Sequence, residues 1–215
     1  MTPPGRRRLA TAGAVGLLVG YLVLTLLVVA GSSQAGDDAW QRLMVRSEWA
    51  PAVALATTFD VIGGAWVTIP IRIVVPVVLA VQRRWVAVVL WIGILVPVQL
   101  VSISTKVIVD RPRPPLPLVD TVTASYPSGH TTNAATMAIA LVLVFTAPGT
   151  LLRRVAVAVG LAWMLTKAWS RTYLRAHWLT DVNAGLLLGI GGALAAWALV
   201  ERWRRARATG ARGGS

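Results

Sequence analysis

Residues 85–117 read WVAVVLWIGILVPVQLVSISTKVIVDRPRPPLP. From Trp85 to Thr105 there is no charge. A helix of that length, at about 1.5 Å per residue, crosses the ~30 Å hydrocarbon core of a bilayer. Lys106 ends the apolar run, and Asp110 to Pro117 is rich in proline. Proline lacks the backbone N–H and clashes with the preceding turn, so the helix cannot continue through it. The stretch therefore predicts a membrane span, about 85–107, that opens at one face into a loop carrying Lys106, Arg111 and Arg113.

The pattern repeats outward in both directions. Leu9–Gly36 and Val182–Val200 are also free of charge. The chain of 215 residues is 56% hydrophobic and only 13% charged, about half the charged share of soluble domains. So few charges cannot surface a soluble all-α protein with a large core. Net charge is +13, which raises the question of a nucleic-acid partner. The basic residues do not gather on one soluble face, so no nucleic acid is expected. Twelve of the 21 fall instead in four clusters between apolar runs: Arg6–Arg8, Arg83 with Arg84, Arg153 with Arg154, and Arg202–Arg212. Cytoplasmic loops under the positive-inside rule look like this. There is no cysteine, hence no disulfide and no thiolate chemistry.

These observations predict an all-α, integral membrane bundle of six transmembrane helices in one domain, 1–215. The expected spans are about 9–30, 64–81, 85–107, 129–147, 153–169 and 179–200, with a basic tail at 201–215. The first apolar run is longer than the core of about 7–15 residues in a signal peptide, so it reads as a retained span. Ser32–Glu48 reads as a polar extracytoplasmic segment, Pro51–Asp60 as a short helix lying in the interface, and the Gly-rich tail as disordered. Six spans put both termini and all four arginine clusters in the cytoplasm. The same count puts Lys106, Arg113, His130, Arg171 and His177 on the opposite face. Arg72 falls near the middle of the second span, where a charge is costly. It reads either as a contact to substrate or to an acid such as Asp60, or as a snorkelling side chain. Gly185 and Gly189 form a small-xxx-small pair suited to close helix packing.

The chemistry lies between Lys106 and Asp181, where both histidines of the chain occur. His177 and Asp181, four apart, would share a face of a helix. The carboxylate could then fix the imidazole tautomer and leave one nitrogen free as a nucleophile. A dipole-favoured acid in a first helical turn is the plainer reading of Asp181. His130 follows Ser128 and Gly129 and opens an apolar helix, whose free N–H groups attract anions. His130 there could protonate a leaving oxygen; Ser128 could equally be a helix cap. Lys106, Arg113 and Arg171 bring cations suited to phosphate oxygens. Arg111 and Arg175 read as interfacial charges attracted to anionic lipid.

Three segments then carry a family resemblance. Lys106, six residues and Arg113-Pro114 resemble the first motif of the type 2 phosphatidic acid phosphatase superfamily. Pro127-Ser128-Gly129-His130 is similar to its second. Ser170-Arg171, five residues, His177, three residues and Asp181 match its third. Each motif alone is common; the three in order, with the expected internal spacing, are specific, and they cover roughly the last half of the chain.

The resemblance implies a metal-independent lipid phosphate phosphatase. In that family the third-motif histidine, here His177, attacks phosphorus to form a phosphohistidine, with Asp181 orienting it. The second-motif histidine, here His130, protonates the leaving group and then activates water. Lys106, Arg113, Ser128, the Gly129 amide and Arg171 would hold the phosphoryl oxygens. No cofactor and no metal are expected: of the acids only Asp110, Asp120 and Asp181 lie near the motifs, a poor set for two metal ions. The partners implied are the bilayer and a lipid phosphate or diphosphate of the undecaprenyl diphosphate, phosphatidic acid or phosphatidylglycerophosphate type. The setting implied is a bacterial cytoplasmic membrane with the site on its extracytoplasmic face. Two other activities fit the same residues: a phosphotransferase that passes the group to an alcohol, and a carrier that binds lipid phosphates without cleaving them. A carrier would need the cations but no oriented nucleophile.

Overall fold

The protein is described over residues 4–210 by a computed structural model. Eight helices follow one another: α1 (Pro4–Val29), α2 (Gln34–Arg46), α3 (Ala50–Ile62), α4 (Ala65–Val81), α5 (Trp85–Val109), α6 (Gly129–Phe145), α7 (Leu151–Tyr173) and α8 (Leu179–Gly210). No strand occurs among the described residues, as the all-α expectation requires. Local chemistry marks the ends. α5 stops at Asp110, in the left-handed region at φ 39°, just before the prolines. Gly149, at φ 85°, makes the reversal between α6 and α7. The Thr150 side chain then caps α7 by accepting from the Arg153 N–H at 3.2 Å.

The outside of the bundle is apolar. Leu26 of α1, Val77 of α4 and Leu165 of α7 all face outward. Meanwhile Arg111, Lys167, Arg171, His177 and Asp181 are buried. That inversion suits hydrocarbon as the surrounding solvent, with charges kept where they can pair. Among the described residues, four segments are long and apolar enough to cross a membrane: Arg8–Val29, Ala50–Val81, Trp85–Val109 and Leu179–Arg207.

Several boundaries differ from those expected. Ala50–Val81 forms one apolar segment of 32 residues, in which α3 and α4 follow one another where a short helix at 51–60 and a span at 64–81 were expected. The chain breaks only at Gly63-Gly64, between α3 and α4. Gly63 lies against α7, where a Cβ would come within 2.6 Å of the Lys167 side chain. α6 is apolar but shorter, at 17 residues. α7 carries Arg153, Arg154, Lys167 and Arg171 and is not among the four. Ser32–Glu48 is largely the amphipathic helix α2, which buries Asp37, Gln41 and Met44. The first part of the basic tail, through Gly210, continues α8. The disorder expected of the tail's end, 211–215, lies outside the described residues.

α8 is the central helix, packed on α1, α5 and α6. The glycine pair explains its closest contact. A Cβ on Gly185 would stand 2.8 Å from the Ser128 carbonyl oxygen, and one on Gly189 would stand 2.7 Å from the Ala135 Cβ. Neither fits, so two glycines one helical turn apart set the separation of α8 from α6. This brings the N-terminal ends of the two helices together.

Candidate active site

The site grows from that meeting. The Ser128 N–H donates to the Asp181 carbonyl at 3.0 Å, joining the start of α6 to the first turn of α8. Ser128 also caps α6: its Oγ accepts from the Thr131 N–H at 3.5 Å and the Thr131 hydroxyl at 3.1 Å. The capping role is thus realised, and the Ser128 hydroxyl proton is left for a further acceptor. Gly129 and His130 open α6, where first-turn amides have no intrahelical acceptor. The Lys106 side chain passes beside Gly129: a Cβ there would meet Lys106 Cε at 3.9 Å.

His177 sits in the short turn between α7 and α8. The Arg171 carbonyl, in the last turn of α7, accepts from both the Ala176 and His177 N–H groups at 3.1 Å. His177 and Asp181 do not share a helix face, since α8 begins only at Leu179. They meet because Asp181 reaches backward. Its Oδ2 accepts from the Trp178 N–H at 2.9 Å, as an acid in a first helical turn does in a capping box. The same oxygen accepts from the Ser125 hydroxyl and lies 3.4 Å from His177 Nδ1. A carboxylate can only accept, so Nδ1 carries the proton and Nε2 keeps its lone pair. Nε2 faces Arg113, 3.5 Å from Nη1. Burial pushes the His177 imidazole down to about 4, against the pull of Asp181, and the positive Arg171 and Arg113 push the same way. At neutral pH it is an uncharged imidazole.

Arg111 is not the interfacial cation expected. It is buried at 7% exposure and holds Asp181 from behind. Its Nη1 donates to Asp181 Oδ1 and to Thr180 Oγ1, each at 2.7 Å. Its Nη2 donates to Asp37 Oδ2 at 2.7 Å and to Gln34 Oε1 at 2.9 Å, both on α2. The guanidinium also stacks over Trp178, 5.4 Å from the ring centroid. One side chain thus locks α2, the 110–128 loop and the start of α8 around the His177–Asp181 pair. Arg175 pairs instead with Glu48, at 3.4 Å.

The remaining cations stand near the two histidines and Gly129. Arg113 is fastened by its Nε to the Thr123 carbonyl at 2.7 Å and by Nη1 to the Ala176 carbonyl at 2.6 Å. Lys106 donates to the Ala124 carbonyl at 2.6 Å. Arg171 pairs with Asp60 of α3 through Nη1, while its buried Nε has no partner among the described residues. The same Asp60 oxygen lies 3.8 Å from His130 Nε2 and 3.7 Å from Lys167 Nζ. The acid suggested for Arg72 is therefore engaged elsewhere; Arg72 donates to Gln99 of α5 at 3.3 Å.

All eight residues singled out from the sequence gather at this end of the bundle. Sequence reasoning missed Arg111, Asp60, Lys167 and Ser125. Arg111 stands beside Arg113 in the proline-rich loop, and a buried charge cannot be told from an interfacial one by composition. Lys167, four residues before Arg171, was a usable signal, because a lysine amid an apolar helix is costly unless paired. A groove of about 500 Å³ runs from His130 and Lys167 along α6, between α4 and α7, past Val67, Met137, Leu141 and Val159. Its walls are almost wholly apolar, with the charges gathered at one end. The ensemble can accept an anion at the charged end, attack it from Nε2 of His177, and house a hydrocarbon chain beside it.

Comparison with known proteins bears on this arrangement. The family profile described as PAP2 superfamily matches residues 84–205, more than half of the chain. Phosphatidylglycerophosphatase B of Bacillus subtilis (strain 168) is 28% identical over 188 residues, covering 82% of this chain and 89% of the relative. Among solved structures, a transmembrane PAP2 type phosphatidylglycerolphosphate phosphatase from Bacillus subtilis superposes with a TM-score of 0.75. That match has 22% identity and covers 89% of this chain and 96% of the other. Aquifex aeolicus LpxE superposes with a TM-score of 0.59 at 23% identity, over 73% of this chain and 92% of its own. At those identities the two structures speak for the fold.

Proposed function

This chain belongs to the PAP2 superfamily, and from that premise we propose that it removes the terminal phosphate of a lipid by way of a phosphohistidine. It is an integral membrane lipid phosphate phosphatase; the intermediate, the substrate and the membrane face are our reading. The observation that carries it is the buried His177, with Nδ1 turned to Asp181 and Nε2 facing Arg113 at 3.5 Å.

In the first step the Nε2 lone pair of His177 attacks phosphorus. The bond from phosphorus to the lipid oxygen breaks, and His130 gives that oxygen a proton. In the second, His130 takes a proton from water, the water oxygen attacks phosphorus, and the P–N bond breaks. Inorganic phosphate leaves and His177 is again neutral. Lys106, Arg113 and Arg171, with the Gly129 amide and the Ser128 hydroxyl, hold the phosphoryl oxygens. Charge that develops in the transition state thus meets donors already in place, the arrangement that contributes most in such chemistry. Asp181 keeps the attacking nitrogen deprotonated and aimed. No step calls for a metal ion.

The apolar groove beside His130 supports a hydrocarbon-tailed substrate. The tail would lie along α6 with the phosphate at the charged end. A lipid phosphomonoester such as phosphatidylglycerophosphate, the type named for the Bacillus relative, and a lipid diphosphate such as undecaprenyl diphosphate both meet this description. The proposed topology has six crossings, the second made by α3 and α4 together. Both termini and the arginine clusters face the cytoplasm, and the site opens on the other side.

Phosphate release by the purified protein in detergent tests this, with phosphatidylglycerophosphate, phosphatidic acid and undecaprenyl diphosphate as substrates and EDTA throughout. Release from at least one lipid, unaffected by EDTA and abolished in His177→Ala, is the expected result. Activity in His177→Ala would overturn the phosphohistidine route, and activity lost in EDTA would point to a metal ion.

A further inference from the structure

His177 has its carboxylate in Asp181. The other histidine has one too, from a helix outside all three motifs. Asp60 closes α3, and its Oδ1 lies 3.8 Å from His130 Nε2. That distance is an ion-pair contact and too long for a hydrogen bond, so Asp60 bears on the charge of His130. The groups facing His130 are otherwise positive or neutral: Arg171 and Lys167 from α7, and His177 from the α7–α8 turn. Asp60 is the carboxylate among them.

Its position is built. The Lys167 ammonium, wholly buried, donates to the Phe59 carbonyl at 2.8 Å and lies 3.4 Å from the Asp60 carbonyl, holding the last turn of α3. Lysine reaches there through space that only a glycine leaves, at Gly63. Arg171 binds the Asp60 carboxylate through Nη1. Two cations thus fix one carboxylate opposite His130.

We propose that Asp60 is the positioning residue of His130, an ionised carboxylate that offsets the repulsion of Arg171 and Lys167 and so favours the imidazolium form that the leaving oxygen needs. The inference rests on His130 being the proton donor of the proposed reaction. His130 enters the first step protonated, gives its proton to the departing lipid oxygen, and regains one from water in the second. Asp60 stays ionised throughout and moves no proton. Without it, Arg171 and Lys167 would repel the charge that the first step needs. When a phosphate takes Arg171, Asp60 remains paired with Lys167 and near His130.

The test is the pH dependence of kcat for phosphatidylglycerophosphate in detergent. Asp60→Asn keeps the shape and an accepting oxygen but removes the charge. It should lower kcat about tenfold above neutrality with KM changed less than about threefold. The alkaline limb of kcat should move about one unit toward acid, the size expected of one ion partner at this range. Lys167→Met should move that limb the other way. An unmoved limb in Asp60→Asn would overturn the proposal. So would a variant with higher kcat and lower KM, since Asp60 would then be a plug on Arg171. If Asp60→Asn has no melting transition, the direction of the shift in Lys167→Met decides alone. His130→Ala separates the two levels. If it stays active, the proton-donor reading fails; if it is inactive while Asp60→Asn matches wild type, only the role of Asp60 fails.

Discussion

The two histidines sit at the starts of neighbouring helices and live in opposite surroundings. His177 is 2% exposed, and its carboxylate partner is 0% exposed with both oxygens engaged. His130 has a side chain 33% exposed, and its carboxylate partner, 18% exposed, stands off at 3.8 Å. The difference follows the two tasks proposed for them. A nucleophile must present one lone pair in one direction, so it is buried, neutral and held by a network that cannot turn. A proton donor must meet an oxygen that departs and then a water that arrives, so it sits at the mouth of the groove and is governed by charge.

The contrast can be broken most severely from behind His177. Arg111→Met leaves Asp37 and Asp181 buried without their shared cation. Removing one partner of a buried ion pair costs roughly 3–5 kcal/mol, so melting in detergent should fall sharply. A melting curve like that of wild type would mean that the network is not the rigid element described. A smaller loss, on activity alone, is expected at the mouth. Arg171→Ala removes a donor aimed at developing charge, worth about 3 kcal/mol or about a hundredfold in kcat. Less than a tenfold drop would make Arg171 a tether for Asp60 and not a clamp for phosphate.

How far each half could be read in advance follows the same division. The apolar helices and the gathering of the eight motif residues at one end were legible because they depend on local pattern: charge-free runs long enough for a bilayer, and fixed spacings near helix ends. Arg111 and Asp60 were not, because their roles depend on what packs behind them. Arg111 lies 70 residues from Asp181 and Asp60 lies 111 from Arg171; no spacing rule joins such pairs. The close approach of Gly63 to Lys167 was hidden for the same reason, since it too joins positions far apart in the chain.

The smallest of these effects is also the most specific. Asp181→Asn keeps an oxygen that can accept from Trp178 but replaces a charged partner of His177 with a neutral one. A hydrogen bond to a charged group is worth about 2 kcal/mol, so kcat/KM should fall about thirtyfold, with melting lowered less than in Arg111→Met because Arg111 keeps Asp37. Its pH profile carries the argument further. In the wild type, burial holds His177 down at about 4 while Asp181 pulls upward. Removing that carboxylate can only lower His177 further, so any limb due to its protonation in the free enzyme should move toward acid. The substrate's own titration is common to both proteins and cancels in the comparison. A slower enzyme whose acid limb moves down has lost orientation and kept a neutral nucleophile. A slower enzyme whose limb moves up has lost burial instead, as water enters behind His177, and the rigid half of the site would then depend on the carboxylate for its shape.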